Sequence, residues 1–395
     1  MISLNSENTV KILIEKLPNL KDEWENRDVF QPLKFQNRHH YFYDVDHDIK
    51  FKDTGFKVEE NLNLLFAHFP LLKYEMEAVE MPLYASKVFP NSNIDSWYFD
   101  SRGNLSPQKK GYLARSREGK KTSPQESFLE RYDLMVTRSS TISRMRSEVP
   151  KVLNSCGFKV NVQTNNHTGC MGIGEDYAFC YTDFFAPAGR KFTDRSQSLA
   201  SSKDFKKNKI IAFIGSVVWW KGQAEWFENI DPDLLSEYTV VVFGPKKEER
   251  YFNRMISAAR RKDIDVLYSD YVHPDFLCDI LTYSEVSIMN PFMEPPWQLA
   301  LGPARTVGES VACNNICLHG TSADKNGLNG KTMSIPKEWS EYVLEFDNTD
   351  LNSYNESLSR ALSLDRSKID FSNQITFEEK CDQIFQKCLE EMHKT

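Results

Sequence analysis

The sequence predicts an α/β protein of two domains, each built on a largely parallel sheet. Three observations carry that prediction. From residue 209 onward, short apolar runs alternate with helical patterns, the order that gives a parallel sheet with helices on both faces. A βα unit stands earlier, where Tyr132 to Thr137 reads as a strand and Ser139-Ser140-Thr141 can cap a following helix. The length, 395 residues, suits two domains.

Composition narrows the function. Hydrophobic residues are 40% and charged residues 27%, ordinary for a soluble globular chain with a sizeable core. A net charge of −7 argues against a general nucleic-acid binder, which needs a basic surplus. Met1 to Leu20 mixes Asn, Glu and Lys with no apolar stretch, so no secretory leader is expected. No run approaches the ~20 apolar residues of a membrane span. The eight cysteines are scattered and form no CxxC pair. Free thiols in a reducing cytoplasm are the expectation.

Taken in order, Val10 to Leu17 fits a short amphipathic helix. Phe30 to Phe51 is rich in aromatics and histidines and contains Asp44-Val45-Asp46. Two carboxylates so spaced after an aromatic strand can hold a hard divalent cation against a nucleotide diphosphate. A solvated acidic turn is the other reading, favoured because too little chain precedes it for a nucleotide-binding half. Asn63 to Phe69, which includes His68, reads as a buried strand. Leu71 to Met81 reads as a helix with Glu75, Glu77 and Glu80 on its wet face, stopped by Pro82. Ser96 to Phe99 reads as another strand. The basic stretch 101–127 can meet an anionic acceptor, but a solvated loop is expected. The glycines of His167 to Gly174 mark a loop. Ala188 to Asn208 is polar, rich in Ser and Lys, and without periodicity. The domain reading is therefore 1–190, a linker at 191–208, a second domain at 209–370 and a closing helix at 371–395.

The second half is regular. Strands are expected at 210–214, 238–243, 264–267, 285–289 and 315–319. Helices are expected at 222–229, 247–260, 274–282 and 307–313, with Thr349 to Leu364 and Thr376 to His393 closing the chain. The apolar run Ile210 to Ile214 ends at Gly215, and Lys221-Gly222 precedes a helix. Unpartnered amides and the dipole at a helix start favour an anion. A lysine there opposes the dipole, unless a diphosphate is bound. The alternative is a Lys221 that points to water. Cys381 and Cys388 share a helical face, which reads as packing.

Three segments follow strand ends, where an open α/β sheet places its ligand: Gly215 to Gly222, Gly244-Pro245-Lys246, and Pro291 to Glu309. The series Gly215-(x5)-Lys221-Gly222, strand-Gly244, Tyr271-Val272-His273-Pro274-Asp275, Ser284 to Ile288 and Gly302-Pro303-Ala304-Arg305-Thr306-Val307-Gly308-Glu309-Ser310-Val311-Ala312-Cys313 resembles the C-terminal half of retaining GT-B glycosyltransferases of the group 1, or family four, type. The likeness covers about residues 205 to 345 and the closing helices, and the first half loosely around Tyr132 to Ser147.

The resemblance implies two Rossmann-like domains facing a cleft. It implies a hexosyl-type transfer from a UDP or GDP sugar to an acceptor hydroxyl, with retention and without a metal. Lys221 would bind the donor diphosphate, Thr306 and Val307 would offer it amides, Glu309 would bind the ribose, and Val272 and His273 would border the base. Gly215, Ser216, Gly222, Gly244 and Arg305 would complete the donor site. Ser216 stands where the family has arginine, a charge Arg305 can replace. Leu301 stands where it has a glutamate, for which Glu294 can substitute. Thr306-x-x-Glu309 also fits a capping box in which the glutamate only closes its own helix. Trp219, Trp220 and Trp297 suit packing or cleft walls. No catalytic base is assigned, Glu294 and His68 being the candidates, and structural roles are the alternative for His68 and His273. The acceptor class is a glycan, a lipid-linked sugar or a protein, in polysaccharide or glycan assembly, with peripheral membrane contact as a further expectation. The competing enzyme is a metal-dependent transferase using Asp44 and Asp46. The competing class is a non-catalytic binding relative.

Overall fold

A computed structural model describes residues 1–30, 49–68, 80–98, 133–137, 160–163, 179–180, 188–290, 305–321, 339–370 and 374–394. The chain divides into two compact units. Described residues of the first come from Met1–Gln36, Lys191–Leu299 and Pro303–Gln374; those of the second come from Asn37–Arg190 and Ile375–Thr395.

In chain order, the first unit opens with β1 (Ile2–Ser3), α1 (Ser6–Lys16) and α2 (Lys21–Trp24). The second contributes β2 (Asn63–His68), α3 (Glu80–Val88), β3 (Asn93–Tyr98), β4 (Leu134–Thr137), β5 (Val160–Gln163) and β6 (Phe179–Cys180). The first resumes within α4 (Arg190–Ala200), followed by β7 (Asn208–Ile214), a 3-10 turn at Trp219–Lys221 and α5 (Gln223–Asn229). Next come β8 (Thr239–Phe243), α6 (Glu249–Arg261), β9 (Val266–Ser269), α7 (Pro274–Tyr283) and β10 (Ser284–Met289). Then α8 (Arg305–Ala312), β11 (Ile316–Thr321), β12 (Val343–Asp347) and α9 (Leu351–Ser363) complete it. Helix α10 (Phe377–Lys394) returns to the second unit.

Both units are parallel α/β, as expected. The first holds a sheet in the order β1-β9-β8-β7-β10-β11-β12, the second one in the order β3-β2-β4-β5-β6, and every pairing is parallel. Strand β8 reads Thr-Val-Val-Val-Phe and is buried throughout, the unbroken apolar run that a strand covered on both faces requires. Alternation splits the flanking cores. Ile211, Phe213, Val240, Val242, Ile288 and Leu318 pack on one face with Trp226 and Phe227 of α5. Ile210, Ala212, Ile214, Val241 and Phe243 pack on the other with α1 and α7. Each of the larger aliphatic and phenyl side chains contributes about 1.5–3 kcal/mol of burial. In the second unit, α10 inserts Phe377, Cys381, Ile384, Phe385 and Cys388 among β2 and α3. The two helix cysteines thus share the packed face expected of them.

Several local readings change. Helix α3 runs through Pro82 to Val88, with the proline in the first turn of its described span, a position a helix tolerates. Glu80 is buried rather than wet; its carboxylate accepts the Arg190 amide, and Gly189 packs against it. The stretch 191–208 contains α4. Its Arg195 binds Asp279 Oδ1 and Oδ2, both at 2.6 Å, and Glu23 at 2.9 Å. The first residues of the chain group with the second half, since β1 extends the sheet beside β9 and Trp24 Nε1 donates to Asp279 at 2.7 Å.

Candidate functional site

Strand order locates the site. From β7 the chain steps outward through β8 to β9, then returns to place β10 on the opposite side of β7. Helices after β7 and β10 therefore diverge at their carboxyl ends, the switch point where open parallel sheets bind ligands. The segment after β7 carries Gly215 to Gly222. The segment after β10 leads to α8.

After β7 the backbone is pinned. Gly215 donates to Phe243 O at 2.8 Å, Val217 to Pro245 O at 3.0 Å, and Lys247 to Val217 O at 3.2 Å. Gly244 has φ +151°, and a Cβ there would lie 2.0 Å from Gly215 O. These two glycines allow backbone to pass against backbone. Ser216 O accepts from Gln223 Nε2 at 3.0 Å. Trp219 and Trp220 meet edge to face at 5.5 Å. Lys221, half-buried, ends the 3-10 turn.

Gly222 follows with φ +62°. Its carbonyl accepts from Asn290 Nδ2 at 2.8 Å. Asn290, immediately after β10, is 1% exposed and accepts from Asn348 Nδ2 at 3.2 Å. Tyr354 donates to Asn348 O at 2.9 Å. A buried amide pair thus holds the Lys221 turn to the end of β10. The start of α5 is itself occupied: the Ala224 amide donates to the Tyr251 hydroxyl at 3.0 Å, which donates to Glu225 at 2.5 Å.

Helix α8 is the element on the other side of the switch point. It begins at Arg305, so Thr306 already lies inside it. Thr306 O accepts from Ser310 Oγ at 2.7 Å. The capping box is therefore not formed, and Glu309 sits half-buried in the second turn. Thr306 and Val307 belong to the first turn of the described span of α8.

His319 was not singled out by its sequence. It lies near the carboxyl end of β11, 4% exposed. Burial first, then the charge of Lys221, holds its pKa down to about 4, so the ring is neutral at pH 7. Neither ring nitrogen has a hydrogen-bond partner among the described residues.

Val272 and His273 sit beyond β9 in protein contacts. His273 caps α7, its Nδ1 accepting from the Asp275 amide at 3.1 Å, while Nε2 lies 3.3 Å from Arg27 Nη2. Its backbone N–H donates to Val29 O at 2.7 Å. Burial leads the depression of its pKa to about 4. Val272 packs, partly buried, against the core around Phe276. His68 ends β2 in the second unit, its side chain outside the described residues. Glu294, Leu301, Trp297, Asp44, Asp46 and the Arg305 side chain also lie outside them. Among the described residues no group of three or more His, Cys, Asp or Glu could hold a metal, and no helix is long and apolar enough to cross a membrane.

No protein family and no curated protein matches this sequence. Among solved structures, the chain is similar to AviGT4, a glycosyltransferase involved in avilamycin A biosynthesis, at 13% identity and TM-score 0.48, covering 84% of this chain and 97% of that one. A glycosyltransferase from Rickettsia africae aligns at 12% identity and TM-score 0.46, covering 85% and 97%. Anabaena HepE in complex with UDP-glucose aligns at 10% identity and TM-score 0.45, covering 85% and 100%.

Proposed function

We propose that this chain is a glycosyltransferase that moves a hexosyl-type sugar from a UDP or GDP donor to an acceptor hydroxyl, with retention and without a metal. The observation that carries the reading is the switch point between β7 and β10, flanked by the Lys221 turn and the start of α8. A leaving diphosphate develops negative charge as the glycosidic bond breaks. A lysine and helix-terminal amides fixed beforehand stabilise that charge without reorganising. Thr306 and Val307 amides supply the dipole end, Lys221 the cation, and Arg305 a further cation. Glu309, free of capping geometry, takes the ribose hydroxyls. Gly215, Gly222 and Gly244 shape the turn rather than ligate, and the buried Asn290 side chain fixes it. Retention and independence of metal rest on the family resemblance.

Isothermal titration with UDP and with GDP tests the reading. One of the two binds, and Lys221→Ala weakens that binding about tenfold or more, the loss of one charge-assisted hydrogen bond. Absence of binding to both refutes it. Unchanged affinity in the lysine variant moves the site elsewhere. Activity that requires Mn²⁺ and is lost in Asp46→Ala would favour the metal-dependent alternative.

A further inference from the structure

Among the described residues around the switch point, Gln223, Ser287 and Asn348 each leave one buried side-chain oxygen unpartnered, and His319 leaves both of its polar atoms so. His319 is 96% removed from solvent, being 4% exposed, yet both ring nitrogens lack partners among the described residues. A buried polar group without a hydrogen bond is unfavourable, and such groups in folded proteins ask for a reason. Packing supplies none, because an apolar residue of similar size would fill the space without that cost.

Its position on the sheet is defined by alternation. Ile316 and Leu318 face the core that contains α5 and α6, so Cys317 and His319 face the opposite side. That side carries α7 and α8, since Cys313 at the end of α8 packs with Ile210, Ala212 and Phe276. His319 pairs in register with Met289, the last residue of β10. It therefore lies at the carboxyl end of the sheet, on the side where α8 begins. Lys221 acts on it electrostatically from the turn after β7. A cation, a helix N-terminus and a buried imidazole lacking partners thus lie around the same strand ends.

We propose that His319 is a phosphate-binding residue of the donor site, its ring N–H donating to the distal phosphate of the nucleoside diphosphate between Lys221 and the start of α8. This rests on the donor-site reading above and adds a ligand that reading lacks. A phosphate oxygen is an acceptor, so it satisfies a ring N–H that no described residue accepts from. A neutral ring beside a lysine also fits the task. It adds a donor without a second cation competing with Lys221.

The test compares UDP or GDP with the matching nucleoside monophosphate by titration calorimetry, using the full chain. In the wild type the diphosphate binds. His319→Leu weakens the diphosphate about tenfold, one hydrogen bond's worth, and leaves the monophosphate unchanged. His319→Gln, which keeps an N–H donor, recovers most of the loss. The ligand-free Leu variant melts at a higher temperature than the wild type, because a buried polar group lacking a partner has been removed. Equal weakening of both nucleotides, unchanged diphosphate affinity, or a lowered melting temperature would each overturn the assignment. A wild type that binds neither diphosphate removes the donor-site reading and this inference with it. Wild-type binding with an indifferent His319→Leu removes only the inference.

Discussion

Replacing Gly222 by alanine tests whether the Lys221 turn is held where the site requires it. Gly222 has φ +62° and ψ +19°, a left-handed conformation that costs a non-glycine residue about 1–2 kcal/mol. Space adds a larger objection. A Cβ would lie 2.1 Å from Asn290 O and 2.7 Å from Asn290 Nδ2. The side-chain atom can swing away, giving up its 2.8 Å bond to Gly222 O at about 1 kcal/mol. The backbone oxygen cannot, because it follows β10 directly. Relieving the overlap moves the turn from β10 by roughly 1 Å, as packed interiors yield little. The expected destabilisation is about 3 kcal/mol or more, with diphosphate affinity falling alongside. Gly215→Ala is the comparison without the contact: at φ +137° it carries backbone strain of its own, about 1–3 kcal/mol, but a Cβ there meets nothing within 4 Å. Urea unfolding followed by tryptophan fluorescence reads both, since Trp219, Trp220 and Trp226 flank the turn. If Gly222→Ala costs no more than the about 1–2 kcal/mol of left-handed strain alone, the contact with Asn290 is not what fixes the turn.

Two further outcomes follow from buried charges and rings. Arg195→Ala removes the partner of Asp279, whose carboxylate is fully buried, and should cost about 3–5 kcal/mol; a loss under 1 kcal/mol in denaturant unfolding would deny the pair its anchoring role. His273 and His319 each have a folded pKa near 4 against an ordinary 6.5. The unfolded chain takes up protons that the native state refuses, so their contribution is complete above pH 6.5 and fades as pH falls toward 4. The loss is about 3 kcal/mol for each ring. His319→Leu should remove its share of that acid limb, and a wild type equally stable at pH 7 and pH 5 would contradict the burial of both rings.

The second half of the chain was legible because its strands are buried on both faces. Runs such as Thr-Val-Val-Val-Phe in β8 have no other comfortable fate, and the expected strand at 238–243 meets the observed Thr239–Phe243. Where polar chemistry replaces apolar periodicity, the pattern fails. Helix α4 reads Arg-Lys-Phe-Thr-Asp-Arg-Ser-Gln-Ser-Leu-Ala, and its anchor is the ion pair from Arg195 to Asp279, 84 residues away in sequence. Hydrophobic spacing carries no trace of such a pair. The same holds for Glu80, whose burial depends on receiving the Arg190 amide.

At the candidate site, the turn glycines were visible from sequence and the groups that position them were not. Lys221-Gly222 stood out because a cation before a helix start needs an explanation. Asn290 had no such signal: it follows an apolar strand, where an asparagine reads as an ordinary loop residue. Only the pairing of β7 with β10 brings its amide beneath Gly222. His319 was hidden for the opposite reason. Within Ile-Cys-Leu-His-Gly-Thr it occupies a strand position, and a histidine there is ordinarily a core residue with its hydrogen bonds made. What distinguishes it is a missing partner, a property of three-dimensional surroundings. The two residues complement each other across β10. Asn290 is buried with its amide bonds satisfied, and so fixes the backbone. His319 is buried with bonds unmade among the described residues, and so is suited to receive something from outside the fold.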